Sequence, residues 1–395
     1  MSCAQGGSIR MKVIGLIQIG AGMQLLGGMS AEEFLRDYWQ KKPLLIRQAV
    51  PDFCGVVDWQ EMQELAQRDE VLSRLVERRD GSWSLERGPF TARRLSRLGD
   101  DSNWSLLVSD LNHWSQGGAE LFKQFNFIPY ARLDDLMVSY ALTDGGVGPH
   151  FDSYDVFLLQ AVGRKCWQIS GQSDHSLVEG VSLRILKNFC VDQEWLLEPG
   201  DMLYLPPKFA HNGIALEPGM TYSIGFRAPT EQELISQFLM YVAERMEREG
   251  IYADPELSVP SHPAQVPDLM VGKLTAMLKG GLWQESDVGC FLGSYLSEPK
   301  PHVFFDAPDD DMTRDQFAEA AQASGVMLDL KTQMLFIGQQ FFVNGETLEV
   351  MDQVDHDLLV QLADMRRIAP QELSVVMLDY FYGWFQCGYL QLAES

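Results

Sequence analysis

The feature that most constrains this chain is a change of texture between Asp134 and Pro229. Short apolar and β-branched runs recur there with Gly and Pro turns between them: Leu136–Leu142, Val156–Val162, Cys166–Ser170, Asp201–Leu205 and Thr221–Arg227. Several short strands at this spacing predict a sandwich or barrel. The flanks read as helical. Ser30 with Glu33 is a capping box that opens a helix through about Gln40, and Asp58 with Glu61 opens a second. Residues 80–130 read as short segments mixed with turns. Thr230 and Glu233 form another box, ahead of an apolar helical stripe at Leu234, Phe238, Tyr241, Val242 and Met246. A link rich in proline follows (Pro255, Pro260, Pro263, Pro267), then helical segments and an acidic loop at Asp309–Asp311. Thr313 and Gln316 cap a helix ending near Gly325. Asn344-Gly345, set between Phe341-Phe342-Val343 and Thr347-Leu348-Glu349-Val350, predicts a hairpin with a type I′ turn. Two helical stretches close the chain, and helices with one hairpin suggest a winged-helix module. No internal repeat is present.

Charge narrows the function. The formal net charge is −24, and residues 231–395 hold 9 Lys+Arg against 27 Asp+Glu. Direct nucleic-acid binding is not expected, because neutralising phosphates takes clustered basic side chains. An acidic surface attracts a basic partner instead, although acidity also serves solubility alone. The six cysteines, Cys3, Cys54, Cys166, Cys190, Cys290 and Cys387, form no C-x-x-C pair and read as reduced thiols of a cytoplasmic protein. Arg10 and Lys12 precede an apolar run, Val13–Leu26, that glycines interrupt and that is too short to span a bilayer. Residues 1–24 read as a loose leader, and no membrane association is expected.

Two of the seven histidines stand in unusual settings. His150 and Asp152 lie two apart after Gly145-Gly146-Val147-Gly148-Pro149; in an extended chain their side chains share a face. His211 follows the turn Glu198-Pro199-Gly200-Asp201, the strand Met202–Leu205 and the stop Pro206-Pro207, which places it just after a strand. Two imidazoles and one carboxylate form a facial set with three open positions, which suits non-haem Fe(II). A bidentate 2-oxo acid and dioxygen can share those positions. Separately, each residue has a plainer reading: a His and an Asp in a turn, and a core histidine. Lys165 begins the strand after the Gly163-Arg164 turn. Inside a barrel its ammonium would require an anion such as the distal carboxylate of 2-oxoglutarate; otherwise it is an exposed strand-end lysine.

The stretches G-G-V-G-P-H-F-D-S-Y-D-V-F-L-L-Q with G-R-K-x-W, L-E-P-G-D-M-L-Y-L-P-P-K-F-A-H and Y-S-I-G-F-R-A-P resemble the cupin/JmjC ribosomal oxygenases. The similarity is greatest to the bacterial branch that hydroxylates an arginine of ribosomal large-subunit protein 16, and it extends to Tyr38–Arg47. The resemblance implies an α+β protein: a double-stranded β-helix (cupin/JmjC) catalytic domain over 25–229, a helical dimerisation region over 230–285 and a winged-helix-like domain over 286–395. It implies an Fe(II)- and 2-oxoglutarate-dependent dioxygenase using O2, with His150, Asp152 and His211 as metal ligands and catalytic residues. By the same resemblance Lys165 pairs with 2-oxoglutarate, where bacterial members often carry Arg. Thr221 stands where a co-substrate-contacting Asn is common. Asp135, Met137, Tyr154 and Ser223 match an arginine-binding pocket, though Met137 and Tyr154 also read as strand core. The implied partners are a basic ribosomal protein and a second copy of the chain. A lysine demethylase of JmjC type, a non-catalytic docking adaptor and a cupin isomerase are the competing readings.

Overall fold

The computed structural model describes residues 25–99, 103–247, 249–259, 261–308 and 312–393. The leader over 1–24 and the acidic loop at 309–311 lie outside these residues. The chain divides into two compact units after Phe226.

The first unit begins with the two expected capping boxes. Ser30 Oγ accepts the Glu33 N–H at 3.2 Å while the Glu33 carboxylate accepts the Ser30 N–H at 3.1 Å, opening α1 (Ala31–Asp37). Asp58 and Glu61 do the same for α2 (Trp59–Leu65), which follows β1 (Leu44–Ile46). α1 ends before Gln40, whose backbone turns to a φ of 57° so that its N–H donates to the Tyr204 hydroxyl at 2.7 Å. The first of the short segments expected after residue 80 is β3 (Ser82–Arg87), which forms a hairpin with β2 (Ser73–Arg79), a strand the sequence reading did not single out. Asp80 and Gly81 join them with φ of 50° and 80°, the twist a two-residue connection requires. Two short helices, α3 (Ala92–Leu95) and α4 (Gln116–Lys123), flank β4 (Asn103–Val108).

The strands expected from Asp134 onward then form: β5 (Leu133–Ala141), β6 (His150–Phe151), β7 (Val156–Val162), β8 (Lys165–Ser170), β9 (Gln193–Leu197), β10 (Met202–Leu205), β11 (Ala210–Ala215) and β12 (Gly219–Phe226). They build two antiparallel sheets, ordered β1-β10-β7-β12-β5-β4-β2-β3 and β6-β11-β8-β9. β7 shows why its sequence is continuously apolar. Phe157 and Leu159 point into a core with Phe34, Tyr204 and Tyr222, whereas Val156 and Leu158 pack with Trp167, Ile169 and Leu197 of the smaller sheet. A strand covered on both faces has no polar side to display. This is the double-stranded β-helix.

The second unit carries α5 (Glu231–Arg245), α6 (Asp268–Lys279) and α7 (Glu285–Ser297), then α8 (Arg314–Ser324), β13 (Val326–Leu328), β14 (Met334–Ile337), β15 (Gln340–Val343), β16 (Glu346–Glu349), α9 (Gln353–Met365), β17 (Arg367–Ile368), α10 (Val375–Gln386) and β18 (Leu390–Leu392). Thr230 caps α5 by accepting the Glu233 N–H, but Glu233 turns away to accept the Tyr295 hydroxyl at 2.6 Å, so the reciprocal half of that box is absent. Thr313 and Gln316 form the complete box. Asn344 and Gly345, at φ of 50° and 89°, make the expected turn between β15 and β16. α8, α9 and α10 close on a core of Phe317, Leu359, Leu362, Met377 and Phe381 with the strand residues Val326 and Phe341.

Candidate active site

His211 does not follow a strand; it lies within β11, directly opposite His150 of β6. The strand was hidden because Ala210-His211-Asn212-Gly213 carries neither a run of large apolar residues nor a clean alternation. The pairing brings the two imidazole centroids to 4.3 Å. Asp152, just beyond β6, completes the cluster: its carboxylate oxygens lie 4.0 Å from His150 Nε2 and 3.7 Å from His211 Nε2. Three donor atoms of these residues fall within 4.8 Å of one another. The second nitrogens are occupied by backbone carbonyls, Gly148 O at 2.9 Å from His150 Nδ1 and Phe209 O at 3.0 Å from His211 Nδ1. A carbonyl only accepts, so Nδ1 carries the hydrogen and Nε2 presents its lone pair to the centre of the cluster. Burial, aided by neighbouring His150, pulls the His211 pKa down to about 4, which keeps the ring in the form that can ligate a metal.

A cavity of about 400 Å³ opens from this cluster, and all nine residues singled out in the sequence line it: the triad, Lys165, Thr221, Asp135, Met137, Tyr154 and Ser223. Lys165 is buried, not an exposed strand end. Its ammonium hydrogen-bonds Thr221 Oγ1 at 3.4 Å and stands 4.9 Å from the centre of the Trp167 ring. Among the described residues no carboxylate pairs with it, and burial lowers its pKa to about 8. Trp167 lines the same cavity, and its buried Nε1–H has no hydrogen-bond partner among the described residues. Gly213, opposite Trp167, keeps this end open: a Cβ there would lie 2.8 Å from Lys165 Cε and 2.7 Å from the Trp167 ring. A buried cation and an unused N–H beside a triad with free Nε2 atoms are the donors that a metal-chelating dicarboxylate would satisfy.

The other end of the cavity is built from β5, β12 and the loop after β6. Asp135 and Met137 alternate along β5, and Ser223 stands opposite Met137 on β12. Gly225 leaves room for Asp135, whose Oδ1 would lie 2.7 Å from an added Cβ. Tyr154 is 39 % exposed, and desolvation with the nearby Asp152 and Asp135 carboxylates raises its phenol above the usual range. Sequence reasoning missed Arg74 and Arg87, which reach this end from the β2–β3 hairpin, and Arg184. Arg74 Nη2 rests 3.3 Å from Met137 Sδ, and the Arg184 guanidinium lies 5.4 Å from the centre of the Phe151 ring. The Asp80-Gly81 turn was the available signal for the first two.

A His-Asp-His cluster between the sheets of a double-stranded β-helix, with a buried lysine deeper in the same cavity, defines a 2-oxoglutarate-dependent oxygenase of the cupin type. Comparison with known proteins agrees. The JmjC domain family matches residues 120–234 and the ROXA-like winged helix matches 280–391. The chain is 36 % identical over 332 residues to the ribosomal protein uL16 3-hydroxylase of Escherichia coli (strain K12), spanning 80 % of this chain and 85 % of the relative. It is 40 % identical over 213 residues to a probable ribosomal oxygenase of Haemophilus influenzae, covering 52 % of each. The crystal structure of E. coli YcfD superposes with a TM-score of 0.83 at 32 % identity, over 92 % of this chain and 98 % of that one. YcfD in complex with cobalt and 2-oxoglutarate gives 0.80 at 33 % identity over the same shares. The chain belongs to the JmjC-domain ribosomal oxygenases, with a cupin-type catalytic fold and a ROXA-like winged helix. It is an Fe/2-oxoglutarate oxygenase.

Proposed function

We propose that this protein hydroxylates the Cβ of an arginine in ribosomal protein uL16. The observation that carries the reading is the convergence on one cavity of the triad, Lys165 and the set Asp135, Met137, Tyr154 and Ser223, in a chain similar over most of its length to a uL16 3-hydroxylase. In this reading His150, Asp152 and His211 hold iron, and Lys165 pairs with the distal carboxylate of 2-oxoglutarate. When bound, iron with 2-oxoglutarate and dioxygen supplies the oxidation that converts a C–H bond to C–OH. The protein's own residues position and desolvate. Asp135 offers the substrate guanidinium charge-assisted hydrogen bonds, and Ser223 a further polar contact. Tyr154 and Met137 flank its plane and methylene stem. Arg74 already lays a guanidinium nitrogen against the Met137 sulfur, so this wall accommodates the group. The cavity walls limit water around the reacting carbon and hold it in one orientation.

Incubating the protein with purified uL16, Fe(II), 2-oxoglutarate and air should add one oxygen atom to a single arginine, read by mass mapping. Loss of methyl groups from lysine would instead identify a demethylase, and absence of oxygen-dependent 2-oxoglutarate consumption a docking adaptor.

Residues 25–229 act as the catalytic domain, 230–285 as a dimerisation region and 286–395 as a winged-helix scaffold in this reading. Ile235, Leu239 and Met240 of α5, and Val271, Leu274 and Leu278 of α6, are exposed apolar residues at helical spacing, which favours pairing with a second copy. The acidic excess favours a basic protein partner over nucleic acid. No helix among the described residues is long and apolar enough to cross a membrane, and a ribosomal substrate fits a cytoplasmic enzyme.

A further inference from the structure

Gln160 is a buried amide for which the chemistry above has no use. It stands opposite Thr221 in the β7–β12 ladder, at a register shift that leaves Ala161 outside the pairing. Its Nε2 donates to Val162 O at 2.8 Å and to Gly163 O at 3.2 Å. Both amide hydrogens are thereby engaged, and Oε1 faces Thr221 Oγ1 at 3.0 Å. An amide oxygen only accepts, so the threonine hydroxyl donates its single hydrogen to Gln160. Thr221 is left with lone pairs for Lys165 Nζ, 3.4 Å away, and an ammonium only donates. Valence therefore fixes the direction of the whole chain, from Lys165 through Thr221 and Gln160 to the turn carbonyls.

We propose that Gln160 is a positioning residue for 2-oxoglutarate, acting through Thr221 on Lys165. The inference rests on the assignment of Lys165 to the co-substrate carboxylate and changes the part expected of Thr221. Thr221 does not donate to the carboxylate, because its hydrogen is spent on Gln160. It accepts one ammonium hydrogen and so turns the other two toward the cavity, while the oxygen partly offsets the desolvation of the charge. Trp167 beneath the ammonium and Gly213 beside its stem hold the side chain on this line.

The test is the dissociation constant of 2-oxoglutarate for the Mn(II)-loaded full chain, measured by calorimetry, with the ligand-free melting temperature and steady-state kinetics beside it. Gln160→Met should weaken binding about tenfold and raise KM for 2-oxoglutarate, leaving kcat at saturation and Mn(II) affinity near wild type. Thr221→Val should weaken binding to a similar extent and Thr221→Ser should restore it. The double variant Gln160→Met/Thr221→Val should bind no worse than Thr221→Val alone, because both changes break one chain. If Gln160→Met binds as tightly as wild type or tighter, the freed hydroxyl has turned to the carboxylate and the proposal is overturned; additive losses overturn it too. Lys165→Met separates the two assignments. Retained binding in that variant removes the Lys165 reading and this proposal with it. Lost binding there with unchanged binding in Gln160→Met removes the proposal alone. Should Gln160→Met melt early, the same binding is measured in Gln160→Asn, whose shorter amide does not reach Thr221: a similar loss supports the proposal and wild-type affinity overturns it.

Discussion

β12 and α6 are both rich in apolar residues and meet opposite surroundings. All eight residues of β12 are buried, because β5 and β7 cover its edges, a core takes Met220, Tyr222, Ile224 and Phe226 on one face, and the other face lines the cavity. α6 has no buried residue, although it carries Met270, Val271, Leu274, Met277 and Leu278. α5 buries Val242 alone. The first unit therefore completes its own core, whereas the α5–α6 surface retains apolar area whose burial would be worth roughly 25 cal/mol per Å² once covered. If a second copy covers that surface, catalysis and assembly draw on separate parts of the chain, and variants in one should leave the other's readout in place.

The largest expected effect belongs to the triad. Asp152→Ala should abolish 2-oxoglutarate turnover and uL16 hydroxylation while the protein keeps its oligomeric state by light scattering. Turnover near the wild-type rate would remove the ligand assignment. Lys165→Met comes next and has a pH signature. Burial pulls the Lys165 ammonium from its ordinary 10.5 down to about 8. Between these values the unfolded chain holds a proton that the folded chain has released, so the ligand-free protein gains stability from this residue as pH rises from 8 toward 10.5. The gain is at most roughly 3 kcal/mol, and Lys165→Met should flatten it in melting curves. Affinity for 2-oxoglutarate should fall over the same rise, since the carboxylate pairs with the charged form.

How much of this was readable in advance follows the same division. β7 announced itself by a near-continuous apolar run, as a strand covered on both faces does, and β12 by the alternation of Met220, Tyr222, Ile224 and Phe226 with Thr221, Ser223 and Gly225. The capping boxes at Ser30, Asp58 and Thr313 were legible because the motif is local and its atoms lie within one turn. β11 was not, because its seat is set by pairing with β6 and β8. The hairpin bearing Arg74 and Arg87 carried its Asp-Gly signal but lacked a strong apolar alternation. The site residues of the triad were visible through spacing and resemblance. The link from Gln160 to Thr221 was invisible, because it depends on one register shift between strands distant in sequence.

The assembly side of the comparison gives the third effect. Leu274→Glu with Leu278→Glu places two charges on the exposed face of α6 and should shift a dimer to monomer in light scattering. Affinity for 2-oxoglutarate should stay within about twofold of wild type, since independent distant sites add. An unchanged mass would show that α6 is not the seam.

The smallest effect contrasts two caps. Asp58 Oδ1 accepts the Glu61 N–H at 2.9 Å within a unit that completes its own core. Thr230 Oγ1 accepts the Glu233 N–H at 3.1 Å at the start of α5, whose apolar side is largely open. Asp58→Ala and Thr230→Ala should each cost about 1 kcal/mol. The two losses should differ in their dependence on protein concentration. If a second copy covers α5, the stability of that region is linked to protomer concentration by mass action. The melting loss in Thr230→Ala should then shrink as concentration rises, while the loss in Asp58→Ala stays constant. Equal and concentration-independent losses would mean that the second unit stands alone as the first does, and the contrast between β12 and α6 would carry no consequence for assembly.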